Sequence, residues 1–86
     1  MKYVVYLIIT SAKNKTISYV GYTNNIDKRL KLHNSGKGAR FTKGKKWKLI
    51  YSKNYKSKIK AMREEYKLKK NYKLRKIIKN KYLLNA

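Results

Sequence analysis

Few side chains in this 86-residue chain can act as acids, bases or metal ligands. It has three carboxylates, one histidine and no cysteine. Disulfide frameworks and Cys/His zinc sites are therefore excluded, and any metal must be held by oxygen. The candidate carboxylates are Asp27, Glu64 and Glu65. Asp27 lies at a predicted helix start, where an acid most simply caps the helix.

The two adjacent glutamates are predicted to face different directions, because they occupy different positions on a helical wheel. At about 100° per residue, Glu65 lies about 60° from Met62, and Glu64 lies about 160° from it. Because Met62 marks the predicted apolar face, we expect Glu65 to point at the sheet and Glu64 to point outward. The alternative is that both are solvated acids on a basic helix.

Arg29 and His33 have the spacing of neighbours on one helix face, because residues four apart lie one turn from each other. The histidine is suited to proton transfer near neutral pH, and the guanidinium is suited to binding phosphate. The alternative is a surface arginine and a helix-end histidine stabilised by the helix dipole. The nine tyrosines are mostly expected to be packing residues, since strands favour tyrosine.

The charge of the chain predicts a polyanionic partner. Lys and Arg number 25, and the formal net charge is +22. Such a charge favours nucleic acid, because neutralising phosphates releases counterions; an anionic membrane surface is the rival partner. No apolar run is long enough to span a bilayer and no signal-peptide pattern opens the chain, so we expect a cytoplasmic protein that does not enter membranes.

The hydrophobic pattern predicts a single α+β domain over residues 1–86. A small three-stranded antiparallel sheet flanked by helices, in the order ββαβαα, is expected, with a core over about 2–70 and a basic helical segment over 71–86. Apolar Ile59, Met62 and Tyr66 predict the inner face of the second helix. In chain order, the predicted elements are a central strand at 2–9, a turn at 10–16, a strand at 17–22, a helix from Asn24 to Gly36, a loop at 34–46, a strand at 47–51, a helix from Ser57 and a helix at 71–86.

These residues together resemble the GIY-YIG nuclease superfamily. The resemblance rests on Val4-Val5-Tyr6 and Tyr19-Val20-Gly21 on the first two strands, followed by Thr23, Arg29, the run from His33 to Thr42 (His-Asn-Ser-Gly-Lys-Gly-Ala-Arg-Phe-Thr) and a helical Glu65. The order resembles the small stand-alone branch, which is similar to the catalytic domains of structure-specific junction nucleases and excision-repair nucleases. The resemblance covers residues 2–70. Val4 replaces the glycine of the family pattern, and the tail beyond Asn71 matches nothing.

The resemblance implies an endonuclease that hydrolyses DNA phosphodiester bonds with one divalent cation, Mg²⁺ or Mn²⁺. Glu65 would hold the metal, and Arg29 would balance charge on the scissile phosphate. Tyr6, Tyr19 and His33 would form the group that activates the attacking water, with Tyr6 preferred. A phenol needs a neighbouring cation or metal to lower its pKa for that role.

The resemblance also implies a nucleic-acid-binding surface. Its predicted members are Gly21, Lys37, Gly38, Arg40 and Lys43. Glycines would let the backbone approach the strand, and the cations would touch neighbouring phosphates. A basic loop without fixed contacts is the alternative. Phe41 and Trp47 could stack on bases, although a single tryptophan at a strand start is more often part of the core.

Two other functions stay open at this point. A basic nucleic-acid-binding module with the same fold would bind without turnover, and the final helix could dock on a membrane surface or a partner through Leu74, Ile77 and Ile78. The sequence does not distinguish flap, branched, nicked or single-stranded DNA, or RNA. A protein partner for targeting is expected. Asn80 fits no motif.

Overall fold

The first strand carries the longest apolar run of the chain and lies in the centre of the sheet. In this computed structural model, which describes residues 2–12 and 15–85, β1 spans Tyr3–Ala12, β2 spans Lys15–Thr23 and β3 spans Lys48–Tyr55. Both neighbours pair antiparallel to β1, in the order β2-β1-β3. The central position of β1 and the α+β class are confirmed.

Alternate residues of β1 face different layers, as the period of a strand requires. One side, here called the aliphatic face, has a buried cluster of Val5, Leu7, Val20, Ala61 and Leu68. The other side, here called the aromatic face, has a buried cluster of Tyr6, Ile8 and Trp47, with Tyr19 packed against it. The predicted division of β2, with Tyr19 and Val20 on opposite faces, is confirmed.

The ends of the strands differ from the prediction. Ser11 pairs with Thr16 and Ala12 pairs with Lys15, so the hairpin is longer than the predicted turn at 10–16 allowed. Positions 13 and 14 of that turn lie outside the described residues. β3 begins after Trp47 and continues to Tyr55, because its polar residues still find backbone partners along β1.

Helix α1 spans Ile26–Asn34, and its N-cap lies one residue after the predicted start at Asn24. Asn25, in extended conformation, is the N-cap, and its side chain accepts a hydrogen bond from the Lys28 amide. The Asn25 amide donates to Thr23 Oγ1 at 3.2 Å, which fixes the approach to the helix. Asp27 is therefore an exposed first-turn acid and not the cap, so this prediction was wrong.

Helix α2 spans Lys58–Lys70, and its inner face is not the predicted one. Ile59, Met62 and Tyr66 are 65%, 46% and 55% exposed, whereas Ala61 and Leu68 are buried. Small Ala61 lets the helix approach the sheet closely. The buried stripe therefore follows positions 61, 64, 65 and 68, which is also an i, i+3, i+4, i+7 pattern. The two glutamates occupy its middle.

Helix α3 spans Tyr72–Leu84 and joins α2 at Asn71, which caps both helices. Arg75 ties it to the domain by donating to the Leu68 carbonyl at 3.2 Å and to Ser18 Oγ at 3.3 Å. Of its apolar residues, Ile78 packs on the aliphatic face, while Ile77 is 63% exposed. Over the residues described here, no helix is both long enough and apolar enough to cross a bilayer.

Candidate active site

An open cleft of about 480 Å³ lies where β1 begins and β2 ends. Tyr6 of β1, Tyr19 of β2, Arg29 of α1 and Glu65 of α2 all line it. Four separate elements thus bring four of the five predicted catalytic residues to one place. The remaining lining residues are Tyr3, Gly21, Tyr22, Thr23, Asn24 and Lys58.

The Tyr6 ring is buried and lies across Gly21, its partner on β2. A Cβ added at Gly21 would lie 2.6 Å from Tyr6 Cζ, which is far inside van der Waals contact. Gly21 was predicted to let a nucleic-acid strand approach the backbone. In the structure, the space that a side chain would fill is taken by the tyrosine.

His33, the fifth predicted catalytic residue, lies behind Tyr6 and is only 1% exposed. Its Nε2 is 2.8 Å from Tyr6 Oη, and its Nδ1 is 2.8 Å from Thr42 Oγ1. The Tyr19 ring meets the imidazole edge to face, with centroids 5.2 Å apart. Both tyrosines of the group predicted to activate water therefore contact His33, which is buried among side chains and not held at the helix end by the dipole alone.

Burial and Arg29 set the charge states of this group. Burial raises the pKa of Tyr6, nearby Tyr19 raises it further, and the lowering effect of Arg29 is smaller than that of burial. Burial, and then Arg29, lowers the pKa of His33. A neighbouring cation or metal was predicted to lower the tyrosine pKa, but burial outweighs the effect of Arg29 and the net shift is upward. Both side chains are neutral at pH 7.

The two glutamates of α2 lie in different surroundings. Glu65 lines the cleft, with its side chain 17% exposed and its Oε1 3.5 Å from Lys69 Nζ. Glu64 lies among Val5, Tyr51 and Tyr55 at the aliphatic face, with Oε2 3.1 Å from Lys67 Nζ. A hydrogen bond from Lys67 lowers the pKa of Glu64.

The prediction for the glutamates was therefore right for one residue and wrong for the other. Glu65 reaches the cleft as expected, although Met62 is not the reference point that places it there. Glu64 does not point outward, since its side chain is only 24% exposed. Both follow from the Ala61–Leu68 stripe, which places them on the inner half of the helix.

Comparison with known proteins bears directly on this cleft. The family model described as the GIY-YIG catalytic domain matches residues 2–82. This chain belongs to the GIY-YIG family. The resemblance is thereby confirmed, and the match runs through most of α3, whereas the tail beyond Asn71 was predicted to match nothing.

The similar proteins include several UPF0213 proteins. The chain is 40% identical over 65 residues to UPF0213 protein OB0043 of Oceanobacillus iheyensis, covering 74% of each. It is 46% identical over 66 residues to a UPF0213 protein of Bacillus licheniformis, covering 76% of this chain and 67% of that protein. A solution NMR structure of UPF0213 protein BH0048 from Bacillus halodurans shares 36% identity, with a TM-score of 0.49, and covers 94% of this chain and 86% of that one. These names state no reaction.

The loop between α1 and β3 of the GIY-YIG domain packs behind the cleft. Lys37, Arg40 and Lys43 are exposed, and none of them lines the cleft. Gly38, predicted to contact nucleic acid, lies against the histidine: a Cβ there would lie 2.8 Å from both Cγ and the backbone nitrogen of His33. This glycine therefore lets the loop close on the imidazole.

Aromatic and polar contacts hold that loop in place. Trp47 is 3% exposed, as expected of a core residue, and its Nε1 donates to the Thr42 carbonyl at 3.0 Å. Asn34 donates through Nδ2 to the Trp47 carbonyl and accepts from the Trp47 amide, which joins the end of α1 to the start of β3. Phe41 is 53% exposed and stacks on Tyr19 with centroids 6.0 Å apart.

Two residues of this GIY-YIG site were given no role from the sequence. Lys58, at the first turn of α2, lines the cleft and adds a second cation to its wall besides Arg29. Thr42 is 0% exposed and contacts the histidine. The signal for Lys58 was its place directly after the Ser57 cap, seven residues before Glu65. Thr42 gave no periodic signal, because it lies in an irregular turn.

Proposed function

We propose that this GIY-YIG protein is a divalent-metal-dependent endonuclease that hydrolyses phosphodiester bonds in DNA. The observation that carries the proposal is the convergence of Tyr6, Tyr19, Arg29 and Glu65 on one open cleft. Membership of the GIY-YIG family, whose catalytic domains are nuclease domains, supports the same function. Flap and branched DNA are the proposed substrate structures.

Arg29 is the proposed phosphate-binding residue. Its planar fork of donors suits two phosphate oxygens at once and can stabilise the charge that develops as the scissile bond breaks. Lys58 lies in the same cleft and offers a second cation for a neighbouring phosphate. A cleft with two cations at its walls favours a polyanion over a neutral substrate.

Glu65 is the proposed metal ligand. Within residues 2–12 and 15–85, no three His, Cys, Asp or Glu side chains gather into a metal-binding group, so the protein offers the carboxylate of Glu65 alone in this cleft. This donor set fits Mg²⁺, which keeps several waters and is commonly held by one or two carboxylates together with substrate phosphates. A bound Mg²⁺ or Mn²⁺ would polarise a phosphoryl oxygen and make nearby water more acidic.

Tyr6 and His33 are proposed to take up the proton of the attacking water, with Tyr19 holding the imidazole edge. Because its pKa is raised, Tyr6 is a neutral phenol at pH 7 and needs a proton acceptor beside it. His33 Nε2 is 2.8 Å away, and its lowered pKa leaves the ring neutral and able to accept. Together, Tyr6 and His33 can accept a proton from water near pH 7, which a tyrosine alone with a raised pKa cannot do.

The cations outside the cleft are proposed to bind the flanking nucleic acid. Lys37, Arg40 and Lys43 are exposed on the loop that covers His33, and the whole chain has a formal charge of +22. Such contacts position a strand without reading its sequence. DNA affinity should therefore fall steeply with salt, as counterion release requires.

The test compares Glu65→Gln with Glu64→Gln, a matched control that makes the same charge change one residue earlier. Labelled single-stranded, duplex, flap and branched DNA, and RNA of one of these sequences, are incubated with Mg²⁺, with Mn²⁺ and with chelator. We expect metal-dependent product from the unmodified protein and from Glu64→Gln. Cleavage should fall at least about 100-fold in Glu65→Gln, because an electrostatic group at the reacting phosphate is lost.

DNA affinity should stay nearly constant in both variants, since one carboxylate is a small part of a formal charge of +22. Equal cleavage by Glu65→Gln and the unmodified protein would reject Glu65 as the metal ligand. Binding without product on every substrate and metal would instead favour the non-catalytic nucleic-acid-binding module.

A further inference from the structure

Thr42 forms the end of a buried hydrogen-bonded chain that reaches the cleft. Its hydroxyl donates to the Ala39 carbonyl at 3.0 Å, and the same oxygen is 2.8 Å from His33 Nδ1. On the other side of the ring, Nε2 is 2.8 Å from Tyr6 Oη. Thr42, His33 and Tyr6 are 0%, 1% and 2% exposed, so bulk water does not compete for these partners.

The direction of each bond follows from counting protons. A carbonyl oxygen can only accept, so the single hydroxyl proton of Thr42 is used on Ala39. The Thr42 oxygen must then accept from His33, which requires a proton on Nδ1. A neutral imidazole has one N–H, so Nε2 is an acceptor and the Tyr6 hydroxyl donates to it.

We infer that Thr42 is a positioning residue, which fixes His33 as the Nδ1–H tautomer and so makes Nε2 the acceptor of the Tyr6 proton. The inference rests on the proposed nuclease function for its role in catalysis, although the tautomer itself does not. It goes beyond the proposed function by naming the group that sets the direction of proton transfer.

The surroundings of Thr42 hold it in this orientation. Its amide also donates to the Ala39 carbonyl at 3.2 Å, which closes the turn. The indole nitrogen of Trp47 donates to its carbonyl at 3.0 Å. On the ring itself, the absence of a side chain at Gly38 lets the loop lie against His33. The loop therefore holds both His33 and Thr42, the two partners of the Nδ1 hydrogen bond, in place.

The proton path is balanced in this arrangement. The attacking water gives a proton to Tyr6 Oη as Oη passes its own proton to His33 Nε2. The phenol is therefore unchanged, and the imidazole becomes imidazolium. The water oxygen forms the new P–O bond, the bond from phosphorus to the leaving oxygen breaks, and that oxygen takes its proton from solvent. The Nε2 proton of the imidazolium then returns through Tyr6 Oη to solvent, which restores the neutral Nδ1–H ring.

The first measurement is the tautomer of His33 in the 86-residue chain. The chain has one histidine, so a long-range ¹H–¹⁵N correlation spectrum reports its two ring nitrogens without overlap. We expect a protonated Nδ1 and an unprotonated Nε2 near pH 7. An Nε2–H tautomer would overturn the inference. Absence of cleavage in the same sample would reject the proposed function instead and leave the tautomer result standing.

The second measurement compares Thr42→Val with Thr42→Ser. The valine keeps the shape and removes the hydroxyl, so we expect a shift toward the Nε2–H tautomer and a fall in kcat of about tenfold or more, with KM for DNA unchanged. The serine should restore both the tautomer and the rate. Amide spectra establish that each variant is folded.

An unchanged tautomer in folded Thr42→Val would overturn the inference, as would a rate loss that Thr42→Ser does not rescue. If the valine variant fails to fold, the tautomer of the unmodified protein still decides, because an Nε2–H ring would overturn the inference and an Nδ1–H ring would support it.

Discussion

The two faces of the sheet are built from alternate residues of one strand, yet they are held together differently. The aliphatic face buries Val5 and Leu7 against Ala61 and Leu68 of α2, and its cluster of buried residues is entirely apolar. The aromatic face buries Tyr6 beside His33 and Thr42, which are polar and hydrogen-bonded to each other.

This difference separates stability from chemistry. Apolar burial is favourable wherever the groups meet, because it depends on area and not on direction. A buried hydrogen-bonded chain contributes little net stability, and it becomes costly when one partner is lost. The free energy gained by apolar burial on the aliphatic face can therefore offset the cost of burying polar groups on the aromatic face. The two faces belong to the same sheet.

The largest expected contrast comes from two adjacent residues of β1. Tyr6→Phe removes only the hydroxyl, and we expect cleavage to fall by about 10²–10⁴-fold because the proton path is cut. Leu7→Ala truncates a side chain that is 0% exposed, and we expect the free energy of unfolding to fall by about 2–5 kcal/mol. Cleavage per folded molecule should be retained in Leu7→Ala.

Urea unfolding followed by the fluorescence of Trp47, the single tryptophan, gives the stability of each variant, and gel assays give the rate. Tyr6→Phe leaves His33 Nε2 without its partner, so a loss of about 1–3 kcal/mol is expected there too. The proposed division between the faces would be wrong if Leu7→Ala lost cleavage as severely as Tyr6→Phe at temperatures where both are folded.

A smaller effect is expected from Gly21→Ala, which tests the aromatic face by displacing Tyr6 without removing any polar atom. The new Cβ would meet the Tyr6 ring, so the ring must shift and its hydroxyl must leave His33 Nε2. We expect a loss of about 1–3 kcal/mol in stability from overpacking, together with reduced cleavage.

Ser52→Ala is the matched control, because Ser52 is the β3 partner of Tyr6 and is exposed. It should leave both the free energy of unfolding and the rate nearly unchanged. Full cleavage by Gly21→Ala would mean that Tyr6 does not need its present position against the histidine.

The sequence predicted the fold well where periodicity was clear. The apolar run of β1 located the central strand, and alternation along β2 separated Tyr19 from Val20 correctly. The predicted inner face of α2 was wrong, because the prediction relied on the large side chains of Met62 and Tyr66, whereas the small Ala61 is the residue that is buried against the sheet. The buried stripe of α2 therefore depends on which side chains allow close packing against the sheet, and not on which are largest and most apolar.

The site was predictable to the extent that it lies on regular elements. Arg29 and His33 share α1, and Tyr6 faces Gly21 through the strand register, so spacing carries information about them. Thr42 is nine residues from His33 through an irregular turn, where contacts depend on loop closure and follow no period. The need for glycine at position 38 is likewise steric, because a Cβ there would clash with His33, and this contact exists only in the folded loop.

The smallest expected effect is a pH dependence of stability that belongs to the aromatic face alone. Burial, with a contribution from Arg29, lowers the pKa of His33 below its usual value near 6.5, so the unfolded chain binds a proton that the native chain does not. Linkage then requires the free energy of unfolding to rise with pH between the lowered value and about 6.5. Stability should fall as pH drops from 7.5 to about 5.5.

Urea unfolding at those two pH values measures this directly, and His33→Gln is the control. The chain has one histidine, and Glu64, whose pKa is lowered by its hydrogen bond from Lys67, titrates below this window, so the variant should lose most of the dependence. A stability that rises on acidification would mean that His33 gains a proton in the folded protein. That result would contradict a neutral imidazole between Tyr6 and Thr42. The proposed proton-accepting role of the aromatic face would then be rejected.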